Sequence, residues 1–96
     1  MERRAPSKPR LLYDGDCRFC AYWVRYWQRL TGSKVEYRPY QEVLSEYPGL
    51  TAQECRRAVQ LIEPNGYYSA GADASFRILA YGRCGIYAAI LRQSRL

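Results

Sequence analysis

The seventeen residues from Asp16 to Gly32, DCRFCAYWVRYWQRLTG, constrain this chain more than any other stretch. Phe19, Cys20, Trp23, Val24, Trp27 and Leu30 recur at steps of three and four, the period of a helix with one apolar face. Arg18, Arg25, Gln28 and Arg29 fall mostly on the other side. Asp16 suits the N-cap, and Gly32 suits the stop. On this reading Trp23 and Trp27, one turn apart, belong to the core. Just ahead, Arg10 to Tyr13 (RLLY) is a short apolar run halted by Asp14-Gly15, which predicts a buried strand.

The remaining elements follow from local signals. KVEYRPY alternates around Val35 and Tyr37 and predicts a second strand that Pro39 ends. Residues 41–53 read as a short helical or looping segment broken at Pro48-Gly49, and Thr51 with Glu54 forms a capping-box pattern for a brief helix. AVQLI predicts a third strand, Pro64-Asn65-Gly66 a hairpin turn, and YYS the returning strand. ADASFRILAYG predicts a helix with Phe76, Leu79 and Ala80 on one face, and RCGIYAAILRQ a further short helix around Ile86, Ala89 and Ile90. The order is a strand–helix–strand unit, then a β-hairpin and a packing helix. That is an α/β, thioredoxin-like layout: a mixed sheet of about four strands with helices on both faces.

Ninety-six residues make one domain. Residues 1–9 (MERRAPSKP) read as a flexible lead-in, and residues 10–96 as the folded unit. The net charge is +6, and all but two of the fifteen basic residues are arginine, which favours anionic partners without naming one. The arginines are scattered, with doublets only at Arg3-Arg4 and Arg56-Arg57, so there is no strong sign of nucleic-acid binding. The absence of histidine excludes His-based zinc sites and Ser-His-Asp or Cys-His catalysis. No apolar run reaches the roughly 20 residues of a transmembrane span, and the charged start lacks a secretory pattern. The expected compartment is the cytoplasm, where cysteines serve as thiols, catalytic groups or metal ligands more often than as structural disulfides.

Cys17 and Cys20 stand where the first strand hands over to the helix. Unpaired N–H groups at a helix start carry partial positive charge and stabilise a thiolate. Cys-X-X-Cys thiols in that setting reach pKa values of roughly 3.5–7.5, against about 8.5 for a free thiol. Cys17, outermost, is the expected nucleophile, and Cys20, one turn in on the apolar side, the resolving thiol. Residues three apart share a helical turn, so the two sulfurs can bond with little backbone movement. Arg18 favours the Cys17 thiolate, whereas Asp14 and Asp16 oppose it or relay a proton for Cys20. No cofactor or metal is expected. A four-thiolate zinc site would need the isolated Cys55 and Cys84.

The stretch Tyr13-Asp14-Gly15-Asp16-Cys17-Arg18-Phe19-Cys20 resembles the signature of the DCC family of predicted thiol-disulfide oxidoreductases, with Asp14, Cys17 and Cys20 in its Asp-x-x-Cys-x-x-Cys positions. The resemblance continues through Pro39 to Gln41 and through the block holding Gly71, Asp73 and Phe76, covering roughly residues 10 to 81. It implies a thioredoxin-like fold and dithiol–disulfide exchange with a protein or small-molecule thiol. It also draws Gln41 and Glu42 toward the cysteines. Two departures stand out. Arg57-Ala58 occupies the place where thioredoxin has a proline facing its active site. The chain also stops at Leu96, short of the family's longer C-terminal helical part. The alternative function is a non-catalytic thioredoxin-like module that binds an acidic protein partner. Asp73 is read as a helix-start residue, and Cys55 and Cys84 as ordinary thiols.

Overall fold

The computed structural model describes residues 6–82. The second C-terminal helix expected around Ile86, Ala89 and Ile90, Cys84, and residues 1–5 of the lead-in lie outside the described residues. Four strands, β1 (Arg10–Tyr13), β2 (Glu36–Pro39), β3 (Gln60–Ile62) and β4 (Tyr68–Ala70), form one sheet in the order β2-β1-β3-β4. β1 runs parallel to β2, with Arg10 opposite Glu36 and Tyr13 opposite Pro39. It runs antiparallel to β3, with Leu11 opposite Leu61, and β3 pairs antiparallel with β4. The helices are α1 (Arg18–Thr31), α2 (Tyr40–Val43), α3 (Ala52–Arg57) and α4 (Gly71–Gly82). This is the thioredoxin-like arrangement expected from the element order.

Successive residues of a strand point to opposite faces. β1 therefore sends Leu11 to one side and Leu12 to the other, and both are fully buried. Leu11 joins Leu61, Val24 and Trp27 of α1, and Ala74 and Ile78 of α4. Leu12 joins Ile62, Tyr40, Val43, Tyr47 and Cys55. A central strand buried on both faces reads as an unbroken apolar run, which is why RLLY showed no alternation. Each fully buried leucine contributes roughly 1.5–3 kcal/mol. Before β1, Pro9 is buried and its carbonyl accepts the Glu36 N–H at 2.8 Å, so the ordered chain begins ahead of residue 10.

The local signals at the turns hold. Thr51 Oγ1 accepts the Glu54 N–H at 3.1 Å while the Glu54 carboxylate accepts the Thr51 N–H at 2.9 Å, closing the capping box. Gly66 takes a positive φ of 90° in the hairpin, where a side chain would be strained. β3 starts at Gln60, two residues later than the AVQLI run.

Two helix faces depart from the sequence reading. α1 buries Val24, Trp27 and Thr31, whereas Phe19 is 71% exposed and Trp23 is 38% exposed. Neighbouring residues in a helix differ by about 100° around the axis. Seating Val24 against the sheet therefore swings Trp23 off the core. On α4, Ile78 is fully buried and Phe76 is 38% exposed, so the core arc is Ala74, Ile78 and Ala80 instead of Phe76, Leu79 and Ala80. Asp73 lies in the first turn of α4, 3.6 Å from Arg77.

Candidate active site

β1 ends at Tyr13, and α1 begins at Arg18, with four residues between them. The intervening turn, Asp14 to Cys17, is closed by the Cys17 N–H donating to the Asp14 carbonyl at 3.1 Å. Asp14 Oδ1 accepts the Asp16 N–H at 3.0 Å, a turn of the kind aspartate side chains make with the backbone two residues on. Asp16 is thereby drawn into the turn, and the helix cap falls one residue later than expected. Cys17 is the N-cap, and its Sγ accepts the Cys20 N–H at 3.2 Å.

Gln41, in the first turn of α2, holds the same turn from outside. Its Oε1 accepts the Gly15 N–H at 3.1 Å, and its Nε2 donates to Asp14 Oδ1 at 2.9 Å and to Asp16 Oδ2 at 3.5 Å. Gly15 permits this approach: a Cβ there would sit 3.1 Å from the Pro39 Cβ and 3.3 Å from Gln41 Oε1. Only the resemblance drew Gln41 toward the cysteines, since a contact across 27 residues leaves no periodic trace. Glu42 turns away and pairs with Arg38 at 2.9 Å.

The two thiols are free and partly exposed. The Cys17 thiol is more acidic than an ordinary one, because the Cys20 thiol and the backbone N–H groups of Cys20 and Phe19 donate to its sulfur, outweighing desolvation and the Asp14 charge. Cys20 moves the other way, up to about 11, through burial first, then its hydrogen bond to Cys17, the Cys17 charge and the Asp14 charge. The structure thus brings Cys17, Cys20 and Asp14 together. Asp16 and Arg18 are exposed at the mouth of the turn, and Arg18 has no part in the Cys17 shift. Cys55 is buried in the core cluster of Leu12 and Ile62. Among the described residues, no three cysteine or carboxylate side chains gather closely enough to hold a metal ion, and no helix is long and apolar enough to cross a membrane.

A groove of about 780 Å³ opens beside the two thiols. Phe19, Trp23, Tyr26 and Trp27 of α1 line one side, and Arg56, Arg57, Ala58 and Val59, at the approach to β3, line another. The sequence reading missed this groove because it placed Trp23 in the core. Its available signal was the Arg56-Arg57 doublet.

A family model described as DCC1-like thiol-disulfide oxidoreductase matches residues 11–96. No curated protein and no solved structure matches the chain.

Proposed function

The chain belongs to the DCC1-like thiol-disulfide oxidoreductase family, and from that premise we propose that it exchanges electrons with substrate disulfides through Cys17 as nucleophile and Cys20 as resolving thiol. The observation that carries this reading is the Cys17 sulfur at the α1 N-cap, accepting the Cys20 N–H at 3.2 Å, beside a thiol held protonated by burial. In the first step the Cys17 thiolate attacks one sulfur of a disulfide R–S–S–R′. A mixed disulfide forms with R–S, and R′–S⁻ leaves and takes up a proton. Cys20 then gives up its proton and attacks the Cys17 sulfur. The Cys17–Cys20 bond forms, R–S⁻ departs and is protonated, and two electrons have passed from protein to substrate. A second, external dithiol restores the reduced pair. In a reducing cytoplasm, the setting expected from the sequence, the cycle runs toward disulfide reduction.

The difference in acidity supports the division of labour. Cys17 is the more acidic thiol and gives up its proton first, while Cys20 keeps its proton until the mixed disulfide removes the Cys17 charge, one of the causes that hold its pKa up. Asp14 acts as a positioning residue through the turn and as a charge that raises both thiols. Asp16 and Arg18 serve at the rim of the turn.

The test is substrate capture. Cys20→Ser protein should accumulate a mixed disulfide at Cys17, identified by mass spectrometry, and Cys17→Ser protein should capture nothing and reduce nothing. A Cys20→Ser protein that never captures a disulfide would sink the reading. The exposed aromatics and arginines of α1 favour the second reading, a binding module for an acidic partner. In that case the Cys17→Ser/Cys20→Ser double variant keeps full function.

A further inference from the structure

The groove beside Cys17 has a composition that dithiol chemistry alone does not require. Phe19, Trp23 and Tyr26, which line it, are 71%, 38% and 40% exposed, and with Tyr22 beside them, 60% exposed, they form a ladder of edge-on contacts, with Trp23 5.6–6.3 Å from the other three rings. Solvent-exposed aromatic runs of this kind mark binding surfaces more often than neutral protein surface. α1 has no acidic residue and carries Arg18, Arg25 and Arg29 at exposed positions. Across the groove stand Arg56 and Arg57, also exposed. None of these five guanidiniums meets a carboxylate among the described residues. The ion pairs there belong to Arg10, Arg38 and Arg77. Arg56 donates to the Tyr40 hydroxyl at 3.2 Å, which leaves Arg57 as the groove's open cation among the described residues. The carboxylates near the thiols, Asp14 and Asp16, do not line the groove and are engaged by Gln41.

Resting on the dithiol reading above, we propose that the groove seats an extended, acidic polypeptide substrate. The substrate's disulfide is flanked by a large apolar side chain that packs on Trp23 and Phe19, and by a carboxylate that pairs with Arg57. The charge asymmetry fixes its direction: acidic residues run toward α1 and α3, away from Asp14 and Asp16. A small anionic disulfide would use the cations but leave the aromatic wall in water. A purely apolar peptide would use the wall but leave Arg57 unpaired. The exchange is the one already written, with the peptide as R–S.

The experiment measures second-order rates for reduced wild-type protein against 2-thiopyridyl mixed disulfides of three cysteine peptides: one with Phe and two Glu, one with Phe and two Lys, and one with Ser and two Glu. Each rate is divided by the same protein's rate with the neutral 2-thiopyridyl disulfide of 2-mercaptoethanol. The Phe–Glu peptide should outrun the Phe–Lys peptide by about tenfold at low salt, with the gap narrowing as salt screens it. It should also outrun the Ser–Glu peptide severalfold. Arg57→Glu should erase most of the Glu-over-Lys preference. Equal normalised rates for the Glu and Lys peptides, as expected if a second copy or residues 83–96 fill the groove, would overturn the proposal. So would a preference that survives Arg57→Glu, or one shown equally by the Ser–Glu peptide, which would be long-range steering only. If the neutral disulfide is not reduced at all, the dithiol reading itself fails, a result distinct from the other three.

Discussion

Cys17 and Cys20 share one helical turn, yet the fold separates their acidities: the Cys20 thiol and the helix-start N–H groups donate to the outer sulfur, while burial acts most strongly on the inner one. Alkylation of the reduced protein should therefore show two titrations. Cys17 should react with a midpoint lower than that of an ordinary thiol, and Cys20 only as pH approaches about 11. Asp14 raises both thiols, and its Oδ1 also accepts two hydrogen bonds. Asn keeps the accepting oxygen and removes the charge, so Asp14→Asn should lower both titration midpoints while leaving the turn closed. Mass-resolved alkylation across pH measures both. Gln41→Ala removes three contacts to the turn, and an intramolecular hydrogen bond contributes about 0.5–1.5 kcal/mol net. We expect about 1 kcal/mol lost in urea denaturation and severalfold slower mixed-disulfide formation, with Cys17 still the captured residue. A Gln41→Ala protein with wild-type exchange rates would show that the turn holds its shape without α2.

At the scale of elements, α3 and α4 line the groove together with α1, through Arg56 and Arg57 on one and Gly71, Ser75 and Leu79 on the other, and are set by contacts that can be tested singly. Thr51→Ala opens the α3 capping box and should cost about 1 kcal/mol, as N-cap losses do. Gly82, at the end of α4, lies so close to α1 that an added Cβ would meet the Leu30 Cγ at 2.5 Å. Gly82→Ala should cost about 1–3 kcal/mol through overpacking, and Leu30→Ala in the same chain should recover part of it, a coupling that a double-mutant cycle reads. The elements themselves were legible wherever one local signal fixes them: the Asp14-Gly15 stop of β1, the three-and-four spacing of α1, Thr51 with Glu54, and Pro64-Asn65-Gly66. What was not legible depends on distant partners. Asp16 lost the cap because Asp14 and Gln41 hold it in the turn. Trp23 left the core because Val24 and Trp27 fill the space over Leu11 and Leu61. No period within α1 says which side of an apolar stripe the sheet will take, so the groove beside the legible CxxC stayed hidden.

For the whole molecule, oxidation of the pair alters the pH dependence of stability, because folding shifts both thiols of the reduced form and the disulfide form has neither left to titrate. Folding depresses the Cys17 pKa. Its stabilising contribution is therefore fully present above the unfolded value, roughly 8.5, and is lost as pH falls through the folded value. Folding raises Cys20 to about 11. Its contribution is fully present below roughly 8.5 and is lost as pH rises through that raised value. Cys55 and Tyr37, both raised by burial, titrate in the two redox forms alike and cancel in the difference. The unfolding free energy of reduced minus oxidised protein should therefore climb with pH to a maximum near 8.5 and decline toward 11. Urea denaturation of the two forms at matched pH measures it. A difference that falls steadily from neutral pH would mean that desolvation and the Asp14 charge outweigh the Cys20 thiol and the backbone N–H groups at Cys17. The site would then lack the acidified Cys17 on which the exchange depends. A maximum near 8.5 would also carry over to the disulfide's reduction potential through the thermodynamic cycle that joins folding to oxidation. The pH at which the fold most favours the reduced pair is the pH at which the disulfide is the strongest oxidant relative to the same pair in the unfolded chain.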